Sequence, residues 1–184
     1  MRRARPAAPG SQSTPQTNAM IRVDHAGEYG AVRIYEGQLA VMRGRPESQG
    51  AARAIAHMAE QEQRHLKAFD HLVNERRVRP TALEPVWRVA GFALGAATAF
   101  MGEKTAMACT AAVEEVIDEH YASQLEKLDG DPALKKTLTE FRADEIAHRD
   151  EALAHGAEAA PGYRLLSAAI KTGCRVAIKL SERI

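Results

Sequence analysis

Glu62-Gln-Arg-His65 and Glu145-Ile-Ala-His148 are the two stretches on which the reading of this chain turns. A glutamate three residues ahead of a histidine projects from the same helical face, so each pair can grip one metal ion. With 17 Glu and 7 His among 184 residues, chance supplies roughly 0.6 such pairs, so their number alone decides little. Their placement decides more. Glu28 stands upstream of the first pair and Glu114 upstream of the second. The midpoint between Glu28 and Glu62 is Arg45, inside Gly44-Arg45-Pro46, and that between Glu114 and Glu145 falls inside Asp129-Gly130-Asp131-Pro132. Both are turn sequences. Residues equidistant from the turn of an antiparallel hairpin lie at one height, so each hairpin sets its own three groups level, about 24 Å from its turn at 1.5 Å per residue. Surface charges have no cause to do this twice.

A second register agrees. Glu28 is followed by Tyr35 and Gln38, and Glu114 by Tyr121 and Gln124, at the same spacings, as in two copies of one hairpin. This register selects Glu114 over Glu115, which lies about 100° further round the helix, and Glu60 projects nearly opposite to Glu62. Glu28, Glu62, His65, Glu114, Glu145 and His148 form the ligand set of ferritin-like di-iron and di-manganese carboxylate bundles. Four carboxylates and two neutral imidazoles carry the charge that balances two divalent metal ions. His57 and His71 lack a glutamate three residues away and read as surface histidines. Asp144, one turn before His148, reads either as acceptor for the imidazole proton facing away from the metal or as a solvated acid. Tyr35 and Tyr121 read either as relays of protons or electrons or as packed side chains bonded to a carboxylate. No catalytic residue is singled out beyond the metal ligands.

Composition narrows the class. A net charge of +1 with 27% charged residues gives no electrostatic case for nucleic acid, and no alternating strand-like run stands out, so the class is all-α. Cys109 and Cys174 form no C-x-x-C motif and suit buried thiols in a reducing compartment. Residues 1–18 hold Arg and Pro with no acid and no large apolar residue after Met1, which predicts a disordered tail ahead of a single domain over 19–184. The first helix is expected from Asn18 or Ala19 to Arg43, the second from near Glu47 to Arg76, and the fifth from Tyr163 to about Leu180. Val89 to Gly102 carries no charge, yet is too short for a bilayer, which needs about 20 residues. It reads either as a buried crossover or as an interfacial segment where Trp87, Arg88, Phe92, Leu94, Phe100 and Met101 meet lipid or a lipidic substrate. A lipidic substrate arriving there would then pass Phe92, Leu94 and Phe100, with Gly95 keeping the route wide. Lys171, Arg175 and Lys179 form a basic stripe that is either solvated or set against anionic lipid.

Val23-Asp-His-Ala-Gly-Glu-Tyr-Gly-Ala31, Glu62-Gln-Arg-His-Leu66, Arg79-Pro-Thr81, Gly91-Phe-Ala-Leu-Gly95, Ala112-Val-Glu-Glu115 and Gly173-Cys-Arg-Val-Ala-Ile178 resemble the demethoxyubiquinone hydroxylase family of ubiquinone biosynthesis. The resemblance runs from Ile21 to Ile184. It implies a ferritin-like bundle of two hairpins with a long apolar crossover and an extra C-terminal helix, using two Fe ions and O2 to hydroxylate the ring of a polyprenyl demethoxyquinone or quinol. It also implies the same six ligands, an external reductant such as NADH, and a peripheral place on a membrane surface. That surface would be the cytoplasmic face of a bacterial membrane or the matrix face of a mitochondrial inner membrane, with other ubiquinone-biosynthesis proteins or a lipid-binding protein as partners. An iron-oxidising or iron-handling ferritin relative is the alternative. No G-x-G-x-x-G fingerprint is present, so a nicotinamide would act without a Rossmann module.

Overall fold

A computed structural model describes residues 14–184, and among them there are six α-helices and no strand. Helix α1 (Pro15–Met42) and α2 (Gln49–Arg76) form one hairpin; α4 (Glu103–Lys127) and α5 (Pro132–Ala154) form the other. Between them α3 (Glu84–Phe100) lies along α1, and α6 (Tyr163–Ser181) packs chiefly on α4 while reaching α1. This is the expected all-α, ferritin-like arrangement. No helix of the described residues is long and apolar enough to cross a membrane.

The first helix begins earlier than composition suggests. Residues 1–13 of the expected tail lie outside the described residues, but Thr14 caps α1. Its hydroxyl accepts the Thr17 N–H (3.1 Å), the Thr14 N–H donates to Thr17 Oγ1 (2.8 Å), and Pro15 opens the helix. Residues 14–18 therefore belong to the bundle, because a local capping signal prevails over the polar composition around it. At the other hairpin, Asp131 Oδ1 accepts the Leu134 N–H (3.1 Å) and so caps α5. The same buried carboxylate pairs with Arg76 at the end of α2, tying the two hairpins together. Burial opposes its ionisation, but Arg76 and the Leu134 N–H outweigh burial and hold the carboxyl below the ordinary carboxylate range.

The apolar interior is divided along the bundle. Towards one end Leu39, Met42, Ile55, Met58 and Met107 pack with Ala106, Ala108 and Ala111. Towards the other, Ile21, Phe69, Leu134 and Leu138 pack together. Between these clusters, at the level of Glu28, Glu62, Glu114 and Glu145, the interior is polar. The clusters provide the apolar burial that holds the helices, so the middle is free to be something other than core.

The contact between α1 and α3 decides how the crossover sits. A Cβ at Gly95 would overlap the Ile34 carbonyl, one at Gly37 would overlap the Phe92 carbonyl, and one at Gly91 would lie 2.9 Å from the Gly30 oxygen. Backbone meets backbone here, which only glycine permits. Gly95 therefore does not widen a passage, as the sequence suggests; it seats α3, and a tryptophan there would unseat it. The segment is neither wholly core nor wholly surface: Gly91, Gly95, Thr98 and Ala99 are buried, while Val86, Val89, Phe100 and Met101 are more than half exposed. The basic stripe of α6 is also partly used internally, since Lys171 pairs with Glu115 (2.6 Å) and Arg175 with Glu119 (2.9 Å) of α4.

Because the α1–α3 overlap involves backbone atoms that cannot rotate away, Gly95→Ala should destabilise the fold by about 3 kcal/mol, the upper range for overpacking. Gly50→Ala, where a Cβ meets nothing within 4 Å, should have little effect. Thermal melts of the two variants check this, and equal melting temperatures would refute the close-packing account.

Candidate metal centre

One helix of each kind contributes to the centre: Glu28 from α1, Glu62 and His65 from α2, Glu114 from α4, and Glu145 and His148 from α5. All six are 2% exposed or less. Their ligand atoms fall into two groups, Glu28 with Glu62, His65 and Glu145, and Glu62 with Glu114, Glu145 and His148. Within each group the atoms lie within 4.8 Å of one another. Glu62 and Glu145 belong to both groups, so the arrangement offers two adjoining positions joined by two carboxylates.

Glu28, Glu114, His65 and His148 are each held by a hydrogen bond at their outer atom, and the inner atoms of all six are not held. The Tyr35 hydroxyl donates to Glu114 and the Tyr121 hydroxyl to Glu28, so each tyrosine ties one hairpin to the other. Of the two roles read from sequence, this is the packed one. His65 Nε2 lies 3.0 Å from Asp144 Oδ2, and His148 Nε2 lies 3.1 Å from Gln61 Oε1. Asp144 thus serves the histidine of the opposite hairpin rather than His148, its neighbour on the helix, because the α5 face carrying Asp144 turns toward α2. Phe141 stacks on the His65 ring with centroids 3.9 Å apart and fixes its plane. Both Nδ1 atoms then face inward, His65 Nδ1 at 3.2 Å from Glu145 Oε1 and His148 Nδ1 at 3.1 Å from Glu62 Oε1. Neither Nδ1, neither oxygen of Glu62 or Glu145, and neither Glu28 Oε2 nor Glu114 Oε2 has a hydrogen-bond partner.

Eight buried lone-pair atoms that converge without partners are a heavy penalty unless a cation takes them up. The donor set, oxygen with imidazole nitrogen, fits first-row divalent metals. Without such an ion, protons must stand in. Burial, then repulsion among the carboxylates, lifts Glu62 and Glu114 well above the ordinary range, and burial also raises Glu145. Burial alone would lower His65, but Glu145 and Glu28 carry it up to about 11. His148 is lowered by burial.

A cavity of about 570 Å³ adjoins the centre, with Glu28 and Tyr121 in its wall. Its lining is almost wholly apolar and comes from α1, α3, α4 and α6, including Ile34, Trp87, Leu94, Val113, Ile170 and Cys174. Leu94 lines it as expected, but Phe92 and Phe100 do not; they lie outside, under the guanidinium groups of Arg33 (5.2 Å) and Arg45 (5.5 Å). Sequence reasoning missed the whole α6 wall, although Ala169, Gly173 and Ala177 at spacing four were a visible sign of a face shaped for close approach. It also missed Gln61, and Asp24 and His120 at the cavity's edge. His57 and His71 are exposed, as expected, and so is Glu60.

The family described as "Ubiquinone biosynthesis protein COQ7" matches residues 15–181 of the chain. The chain belongs to the COQ7 family. Among relatives, the "3-demethoxyubiquinol 3-hydroxylase" of Rhodospirillum rubrum is 55% identical over 165 residues, 89% of this chain and 76% of that one. The human "NADPH-dependent 3-demethoxyubiquinone 3-hydroxylase, mitochondrial" is 50% identical over 177 residues, 94% of this chain and 80% of its own. The Saccharomyces cerevisiae "5-demethoxyubiquinone hydroxylase, mitochondrial" is 42% identical over 182 residues, 90% of this chain and 77% of its own. The COQ7 match begins at Pro15, where α1 begins, so it spans all six helices.

Raised carboxyl and His65 pKa values mean that the metal-free folded chain binds protons the unfolded chain releases, so its stability must fall as pH rises. Between about pH 7 and 9 the unfolded glutamates are ionised and His148 is neutral in both states, so the raised groups set the slope. Metal-free protein should therefore melt at progressively lower temperature across that window, and two equivalents of a divalent metal should flatten the trend. A flat or rising profile for the metal-free chain would contradict this charge balance.

Proposed function

We propose that this chain hydroxylates the ring of a polyprenyl demethoxyquinol in ubiquinone biosynthesis, with two iron ions held by Glu28, Glu62, His65, Glu114, Glu145 and His148 and with O2 as co-substrate. The observation that carries this reading is the adjacency of two ligand groups sharing Glu62 and Glu145 to an apolar cavity whose wall includes Glu28. Iron at these positions would supply the redox chemistry that activates O2. The chain's own residues do the rest. Tyr35 and Tyr121 hold Glu114 and Glu28 in place, so neither carboxylate swings away as charge at the centre changes. Asp144 and Gln61 keep both imidazole Nδ1 atoms turned inward. The two apolar clusters on either side exclude water, and the cavity admits the ring with the start of its isoprenoid tail.

The relatives are bacterial and mitochondrial, and the human and Dictyostelium discoideum proteins are named NADPH-dependent, where the sequence suggested NADH. An external nicotinamide reductant is accordingly part of the proposal. So is a peripheral position on the cytoplasmic face of a bacterial membrane or the matrix face of a mitochondrial one. Val89 (69% exposed) and Phe100 (74%) on α3 and Leu165 (79%) on α6 form the apolar faces that would meet lipid.

Two measurements test the proposal. Purified protein should carry two irons and transfer one labelled oxygen atom from O2 to a demethoxyquinol analogue. Glu62→Ala and Glu145→Ala should each lose most of both irons, since each residue serves both positions, while Glu60→Ala keeps them. Accumulation of many irons per chain with no label in the ring would replace this reading with iron handling. Separately, Val89→Asp with Phe100→Asp should release the protein from liposomes without loss of iron; unchanged binding would remove α3 from the lipid contact.

A further inference from the structure

Helix α6 presents three different faces. Leu166, Ile170 and Cys174 point inward and line the cavity. Leu165, Ala169, Val176 and Leu180 form an exposed apolar stripe. Arg164, Lys171, Arg175 and Lys179 form a basic stripe roughly a third of a turn further round, and no acid lies between Tyr163 and Ser181. Helix α3 repeats part of this pattern: Trp87, Gly91 and Leu94 line the cavity, while Val86, Val89, Ala93, Ala97 and Phe100 form an exposed apolar stripe. Ala90 of α3 and Ala169 and Gly173 of α6 both line the cavity and are exposed. The cavity therefore opens between these two helices, with an apolar stripe on either side of its mouth.

The cations around the mouth are not all used by the fold. Lys171 and Arg175 are matched by Glu115 and Glu119 of α4. Arg88, Arg164 and Lys179 are exposed, and their side chains have no partner among the described residues. Each directly precedes an exposed large apolar residue, Val89, Leu165 or Leu180. A lone surface cation needs no explanation, but three at the rim of one apolar face share one: the stem of Lys or Arg lies along apolar surface while its head reaches charge at the edge. Between Arg164, Lys171 and Arg175 the surface is hollowed by about 380 Å³, with Ser167 and Thr172 in the wall, which is room for a phosphate group. The one acid of α3, Glu84, stands in its first turn.

We infer that the occupant of this face is a bilayer surface bearing anionic phosphates: the stripes of α3 and α6 enter the acyl layer with the cavity mouth between them, and Arg88, Arg164 and Lys179 bind lipid phosphates around it. A second copy of the chain is a poor occupant, because it would set the same unmatched cations face to face. An uncharged lipid surface would satisfy the stripes and leave the cations idle. A prenylated ring dissolved in the acyl layer meets the mouth without crossing water. The inference rests on the peripheral-membrane reading and adds the headgroup charge, the residues that read it and the orientation of the mouth.

Co-sedimentation of the purified chain with vesicles tests this. One set is phosphatidylcholine alone, and the other carries about 30% phosphatidylglycerol, both in low salt. Wild type should bind the anionic set more tightly. The triple variant Arg88→Gln, Arg164→Gln, Lys179→Gln should lose about fivefold per cation on that set and bind phosphatidylcholine as wild type does. A control, Arg53→Gln with Lys67→Gln and Lys135→Gln, removes the same charge from exposed positions of α2 and α5 and should keep the preference. Raising salt to about 0.5 M should erase the difference between wild type and the triple variant. Equal binding of wild type to both sets, a preference that survives in the triple variant, or equal losses in the triple variant and the control would each overturn the inference and leave the membrane reading standing. If wild type binds neither set, the membrane reading itself fails.

Discussion

Four carboxylates buried in one place are the constraint on which the rest of this structure depends. Unneutralised, Glu28, Glu62, Glu114 and Glu145 would repel one another at short range in a medium that screens poorly, and His65, the cation that Glu145 and Glu28 draw among them, cannot balance four charges. The fold answers by dividing the labour. Apolar packing is concentrated in two clusters toward the ends of the bundle, capped and pinned by Thr14 and Asp131, and the centre is left to charges that only protons or metal ions can balance. Each hairpin then restrains the other's ligands. The tyrosine of α1 holds the glutamate of α4, the tyrosine of α4 holds the glutamate of α1, and the histidine of α2 is oriented by an acid on α5. Neither hairpin can form its half of the centre without its partner.

This cross-bracing separates what was legible in the sequence from what was not. Positions along a helix follow from residue counting, so the hairpin midpoints and the repeat of Glu, Tyr and Gln lead to all six residues that the structure brings together. Contacts across helices depend on rotation about each axis, which spacing between neighbours does not report. Asp144 shows the difference: spacing pairs it with His148 on its own helix, whereas the rotation of α5 delivers it to His65. Gly95 shows it again, since a small residue in an uncharged run signals close approach without saying to what, and the answer was the backbone of α1. The cavity was half visible for the same reason. Its α3 wall stood out as an uncharged run, while α6 contributes small residues scattered among Arg and Lys that local composition hides.

The near-symmetry of the hairpins also frames the chemistry. A duplicated hairpin by itself makes a centre with two equivalent sides, and an equivalent centre has no reason to treat one direction of approach differently from the other. The cavity lies beside Glu28, on the side where Asp24 and His120 stand in place of Thr110 and Ile34, their counterparts in the register that pairs Glu28 with Glu114. The imidazoles differ as well, one facing a carboxylate and the other an amide. These substitutions leave the six converging residues untouched, so the cavity side can differ while the frame around the centre stays duplicated.

Cys174 lines the cavity and Cys109 packs close behind it in the same apolar cluster. Burial pushes the Cys174 thiol up to about 11 and the Cys109 thiol up to about 12. Sulfur reacts with oxidants and electrophiles chiefly as thiolate, so at neutral pH both cysteines are nearly inert. For a hydroxylase that inertness is a form of self-protection: an oxidant that strays into the cavity meets a wall whose most vulnerable atoms are kept in their least reactive form. The low dielectric that admits a greasy substrate thus also passivates the enzyme against its own chemistry.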